Sequence, residues 1–303
     1  MVAVGKEQNN PVYPFSPLIA IAAVLALAPY IAAGFFPARA AGSAQRLPLW
    51  AQVLSPSLLC VPYLLVTLSR GNFSWGWLGL YAALPAVIAA VLIRARETTP
   101  GWPEFLILAI LGLAVDLRWF EPAWPAHLSV FNKVLLLDAG IYSFVAVRNL
   151  DGVGFDLRLR VRDLTTGLRE VVFFLPLALA LGLGLGFLHL HPFGPIGPVT
   201  LQFAGAWIFT FFLIAVPEEL FFRGWLQNLL ERRMGRWPAL VTTAVLFGLS
   251  HFNKRAQHFN WRYVLLAAIA GLFYGRAWRS DRRVAASAVT HATVDSIWSL
   301  WLR

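Results

Sequence analysis

Long apolar blocks alternate along this chain with short polar stretches. Ten blocks lie near 18–36, 48–68, 75–93, 103–120, 130–147, 168–190, 200–232, 237–252, 261–278 and 284–301. About 20 apolar residues cross a bilayer as a helix, so the pattern predicts an all-α, polytopic transmembrane helical bundle of about ten helices. The fourth block contains Asp116 and the fifth contains Lys133 and Asp138. Each is read as partly re-entrant or interfacial. The three ionisable residues are read as a structural ion pair between the two helices, ahead of a transport path. The first block is read as a retained helix rather than a signal peptide. Its apolar run is too long, and Lys6 ahead of it is offset by Glu7.

Composition agrees with a membrane location. Hydrophobic residues make up 58% of the 303, and charged residues only 13%, against about 25% in soluble domains. The net charge of +10 does not point to nucleic acid, because the basic residues sit in short loops between apolar blocks. One group is Arg148, Arg158, Arg160, Arg162 and Arg169. The others are Arg232, Arg233 and Arg236, and then Arg276, Arg279, Arg282 and Arg283. All three fall on one side of a ten-helix chain, which the positive-inside rule places in the cytoplasm. Lys254, Arg255 and Arg262 fall on the other side and argue against it. The expected location is the plasma (inner) membrane, multi-pass. Trp50, Trp75, Trp77, Trp102, Trp119, Trp124, Trp237 and Trp261 sit near block ends, as an aromatic belt would place them. The single cysteine, Cys60, is read as a small buried hydrophobe.

The chain divides into an N-terminal membrane region of unknown role at 1–150, a basic cytoplasmic loop at 151–167, and a second membrane domain at 168–303. Candidate chemistry concentrates in the last. The seventh block contains Glu218-Glu219-x-x-x-Arg223. Glu219 and Arg223 are four apart in the favourable order for an ion pair, and Glu218 points about 100° away from that pair round the helix. His251 closes the eighth block, four residues after Phe247. In the tenth block, His291 and Asp295 share a face at i, i+4. At ~1.5 Å per residue, Glu218 and His251 each lie ~21 Å from the loop that joins their helices. Asp295 lies ~18 Å and His291 ~12 Å from Arg283. Three helices thus bring two carboxylates and two histidines to similar depth. His189 and His191, two apart, do not share a helical face and are read as interfacial.

Glu218-Glu219-x-x-x-Arg223, Phe247-x-x-x-His251 and His291-x-x-x-Asp295 together resemble the three-motif signature of the CPBP family, over about residues 168–303. These are the CAAX prenyl proteases of the Rce1 type and their bacteriocin-processing relatives. Asp295 stands where the CAAX proteases typically have Asn. The resemblance implies a helical bundle with a cavity open to the cytoplasmic side. It also implies an intramembrane endopeptidase acting on a membrane-anchored protein or peptide in the lipid bilayer. Glu218 would activate water beside His251, supported by Glu219 and Arg223. His291 would polarise the carbonyl or hold the oxyanion, with Asp295 orienting it. The alternative is a zinc enzyme on the same site, with Glu218, His251 and His291 as ligands; the resemblance favours the metal-free mechanism. A non-catalytic immunity or scaffold protein, a transporter, and an enzyme acting on a membrane lipid are the rival classes.

The arginine distribution yields a topology test. A reporter fused in the 148–169 loop should read cytoplasmic; a periplasmic signal there would reverse the orientation.

Overall fold

A computed structural model describes residues 16–96, 98–192, 195–253 and 259–302. Lys6, Glu7, Lys254 and Arg255 lie outside the described residues. The described chain is helical throughout, without a strand. Six helical stretches are long and apolar enough to cross a membrane: Pro17–Phe35, Leu49–Arg70, Trp75–Arg94, Val130–Val147, Val161–Gly184 and Gly197–Met234.

The other four blocks are helical too, but fall short of that measure. Helices α6 (Trp102–Asp116) and α12 (Arg236–Leu249) are short. Helix α13 (Trp261–Asp281) carries arginines, and α14 (Val284–Trp301) carries a polar stripe that includes Ser287, Thr290 and His291. The multi-pass membrane architecture stands, whereas the count of about ten does not follow from these six stretches. On the outer surface Val24, Leu58, Val87, Leu106, Val172 and Leu201 are exposed. In water such a shell would be costly, and in lipid it is the expected solvent-facing surface.

Both halves of the chain share one core. Tyr30, Tyr63, Leu92, Leu111 and Phe144 cluster with Phe211, Leu220, Trp225, Trp278 and Ala292. Trp124 belongs to this core rather than to an aromatic belt. It is buried, stacks on Phe131, and its indole N–H donates to Tyr81 at 2.6 Å. Trp50, Trp75, Trp102 and Trp237 are exposed at helix ends, as the belt reading expects.

Among the described residues no ion pair joins Asp116 of the fourth block to Lys133 of the fifth, although both line one cavity. In α7 (Val130–Gly140), Lys133 is exposed, while Asp138 is buried with neither carboxylate oxygen hydrogen-bonded among the described residues. They are five residues apart and point to different faces.

The basic end of the bundle is latched rather than loose. Helix α8 (Val161–Gly184) begins upstream of its apolar run, so Arg162 and Arg169 are helical. The segment before it docks on the start of α14. Arg283 pairs with Asp163 at 2.7 Å and Asp156 at 3.2 Å, and the Gly154 carbonyl accepts from Val284 N–H at 2.9 Å. A side chain on Gly154 (φ +72°) would put its Cβ 1.8 Å from the Arg282 carbonyl oxygen. Burial alone would raise the Asp156 carboxyl, but Arg158 and Arg283 outweigh it and hold it at about 2. Buried Arg148 pairs with Glu104 at 2.8 Å and donates to the Arg96 and Thr98 carbonyls.

Helices α12 and α13 approach through small residues, the usual route to close packing in membranes. A Cβ on Gly248 would lie 2.5 Å from the Val264 carbonyl oxygen. Gly248→Ala should therefore cost about 1–3 kcal/mol, read as an earlier thermal transition in detergent. Gly205→Ala, in open space, should not lower it. Equal behaviour of the two variants would refute the close-packing account.

Candidate active site

The helix that carries the paired glutamates is irregular where they sit. Helix α9 (Ile196–Thr210) runs into a π-helical stretch at Phe211–Ala215. One regular turn, α10 (Val216–Glu219), follows, and then a second π-helical stretch at Leu220–Gln227, which leads into α11 (Asn228–Met234). Such widened turns are frequent at functional sites. Despite them, the expected pair forms: Arg223 Nε lies 3.1 Å from Glu219 Oε2, and both side chains are fully buried. The guanidinium also donates to the Gly271 carbonyl at 3.0 Å and lies over the Phe247 ring at 4.7 Å. Phe247 is thus the floor under the arginine, and it makes an edge contact with His291.

Glu219 does more than balance Arg223. Its Oε1 lies 2.8 Å from His291 Nδ1, and its Oε2 accepts from the Ser287 hydroxyl. A carboxylate can only accept, so His291 Nδ1 carries a proton and Nε2 is the nitrogen left for chemistry. That nitrogen lies 3.5 Å from Asp295 Oδ2 and 4.0 Å from Glu218 Oε2. The direct hydrogen bond that positions His291 therefore comes from Glu219, while Asp295 stands at the opposite edge of the ring. Tyr274, in α13, stacks on His291 at 4.7 Å between centroids.

His251 follows the end of α12 and is buried. Its Nδ1 lies 2.8 Å from the Phe247 carbonyl oxygen, which requires a proton on Nδ1 and leaves Nε2 as the basic nitrogen of the neutral ring. Its ring also contacts Tyr263 at 5.0 Å between centroids.

Glu218, His251, His291 and Asp295 line one cavity of about 260 Å³. The four residues from three motifs thus share a wall, with Phe247 beside them. Glu218 differs from its neighbour: its side chain keeps 31% exposure where Glu219 has none. Among the described residues, no three His, Cys, Asp or Glu side chains are placed to hold a metal ion. Glu218, His251 and His291 as they stand do not fit a zinc shell.

Ser287 and Tyr274 were not found from the sequence. Ser287 had a signal, because Ser287, His291 and Asp295 form one i, i+4, i+8 stripe. Tyr274, between Phe273 and Gly275 in an apolar helix, had none.

The cavity extends away from the basic loops. Its far wall includes Phe187, Tyr263, Trp298 and Leu302, at the helix ends opposite the 148–160 segment. A second cavity, of about 370 Å³, meets Glu218 from the other side and reaches Asp116, Arg118 and Asn253 at that same end.

Residues 200–297 match the model of the Rce1-like type II CAAX prenyl endopeptidases. That match supports a place for the chain in the CAAX protease family. The matched span contains Glu218, Glu219, Arg223, Phe247, His251, His291 and Asp295. It leaves out the first 199 residues, which nonetheless supply one wall of the second cavity. No curated protein and no solved structure matches the chain.

Removing one member of a buried ion pair strands the other, at a cost of about 3–5 kcal/mol. Arg223→Ala should lose stability as well as any activity. A wild-type melting curve in detergent would show that Arg223 does not hold the site together.

Proposed function

We propose that the protein is an intramembrane endopeptidase in which Glu218 activates water for peptide-bond hydrolysis. The observation that carries this reading is the division between adjacent glutamates. Glu219 is fully buried and engaged by Arg223, His291 and Ser287, while Glu218 keeps an open side toward the cavity that His251 and His291 line. A water held between Glu218 and His251 Nε2 would lose a proton to the carboxylate as its oxygen attacks the carbonyl carbon. His291, protonated on Nε2, would donate to the developing oxyanion. Glu218 would return the proton to the leaving amine as the C–N bond breaks. Asp295 and Glu219 would hold the His291 ring between them.

Family membership supports a membrane-associated protein or peptide as substrate. The domain reading proposed here keeps an N-terminal region at 1–150, a linker at 151–167 and the protease domain at 168–303. All ten helical blocks are proposed to cross or enter the membrane. Basic loops on the cytoplasmic side would then put the mouth of the cavity on the outer side, so the reporter fusion in the 148–169 loop also locates the active site.

The test is proteolysis of membrane-anchored peptides by detergent-purified protein. Glu218→Gln should lower the rate by about 10²-fold or more without shifting thermal stability. Wild-type activity should survive dialysis against chelator. Unimpaired hydrolysis by Glu218→Gln refutes the role of Glu218. Loss of activity on chelation, with recovery on adding zinc, refutes the metal-free mechanism.

A further inference from the structure

We propose that Tyr30 is a positioning residue for Glu218: its hydroxyl supplies the hydrogen bond that Pro217 cannot, and so holds the turn that carries the glutamate. This rests on the reading of Glu218 as the residue that activates water. A proline inside a helix removes one backbone donor, and its ring presses on the carbonyl four residues back. In a membrane such a helix persists where a widened turn or a neighbouring group makes up the loss. Pro217 stands directly before Glu218, and the π-helical turn Phe211–Ala215 lies just ahead of it. At the end of that turn Val216 N–H bonds the Phe211 carbonyl, five residues back. In the same register the next donor would be residue 217, and a proline has no N–H to give. The Phe212 carbonyl is the acceptor left over. The Tyr30 hydroxyl donates to it at 2.8 Å.

The donor comes from the other half of the chain. Tyr30 lies in α1 (Pro17–Phe35), outside the matched residues 200–297. Its ring is buried and stacks on Phe155 at 6.0 Å between centroids. One turn further along, the Gly34 carbonyl accepts from Leu157 N–H at 2.9 Å, which ties α1 to the segment that docks on α14. The hydroxyl is therefore carried on a fixed arm. On the receiving side, Ile214 and Glu218 each line both cavities. They are four apart, on either side of the gap that Pro217 leaves. Without the hydroxyl, a buried carbonyl would lack a donor, and the turn would relax toward other registers. Glu218 would then move relative to His251 and His291, while surfaces that bind substrate elsewhere would not. The rate of the chemical step should suffer rather than affinity.

Two substitutions and their combination test this in detergent-purified full-length protein. Tyr30→Phe removes the hydroxyl and keeps the ring. Pro217→Ala returns a backbone N–H to position 217. Hydrogen–deuterium exchange over 211–220 reads the turn without any substrate. Tyr30→Phe should speed that exchange about three- to tenfold, the scale of one neutral hydrogen bond. In the Pro217→Ala background the helix can satisfy its own carbonyl, so Tyr30→Phe should leave exchange unchanged. On membrane-anchored peptides, Tyr30→Phe should lower kcat by a similar factor with KM unchanged, and this loss too should vanish in the Pro217→Ala background. Exchange as in the wild type, or equal acceleration in both backgrounds, overturns the proposal, because the bond then only packs α1 against its neighbour. Faster exchange with kcat unchanged, or a loss confined to KM, removes the positioning role. Coupled exchange with no cleavage by the wild type keeps the hold on the turn and removes the endopeptidase reading instead.

Discussion

The site depends on a charge pair that has no access to water. Glu219 and Arg223 are both fully buried and meet at 3.1 Å. Isolated ions at that depth would be very costly, and other groups answer part of what the pair leaves over, although Arg223 Nη1 has no hydrogen-bond partner among the described residues. The Gly271 carbonyl and the Phe247 ring serve the guanidinium, and Ser287 and His291 serve the carboxylate. These partners come from α12, α13 and α14, so the pair holds four helical segments in register. The close approach of α12 and α13 at Gly248 and Gly271 is a precondition, because bulkier residues would move the Gly271 carbonyl away from Arg223.

The pair also explains why two glutamates stand side by side. Adjacent positions on a helix diverge by about 100°. One of them can therefore be committed to the structure while the other meets a cavity. Glu219 fixes the Nδ1 side of His291, and Glu218 faces the Nε2 side of the same ring. A single carboxylate could not do both. The π-helical turns on either side change the rotation per residue locally, and they do so at the only turn where both carboxylates must be aimed.

The helical blocks and the motif residues were legible because both obey simple spacing rules. Apolar length gives a span, and i, i+4 spacing gives a shared face, as it did for Glu219 with Arg223 and for His291 with Asp295. Contacts between distant helices were not legible. No rule of spacing links Glu219 to His291 or Ser287, or stacks Tyr274 on His291. The same limit misdirected the reading of Lys133 and Asp138, where charge was seen but face was not. It also misplaced Trp124, whose position near a block end is shared by belt and core alike. The start of α8 at Val161 was hidden for a different reason: its first turns are polar because they pair with Asp281, Arg283 and Glu170 rather than meet lipid.

The two ends of the bundle have opposite construction. At one end Arg148, Arg282 and Arg283 tie helices together through Glu104, Glu231 and Asp163. A cavity of about 580 Å³ remains there, lined by Asp151, Gly152, Gly154, Arg282 and Arg283. Arg148–Glu104 and Arg283–Asp163 are buried, so further acceptors are needed to offset their desolvation: the Arg96 and Thr98 carbonyls for Arg148, and the Arg158 carbonyl for Arg283. The other end has Arg118–Glu121 as its one described ion pair, and it is loose: 3.9 Å, on mostly exposed side chains. The two cavities that Glu218 lines lie toward that end. A hydrolytic site in a membrane must admit a chain and a water while keeping its catalytic groups fixed. Ion pairs that tie the helices at the basic end, with space on both sides of Glu218, meet both demands, and the Glu219–Arg223 pair joins the two.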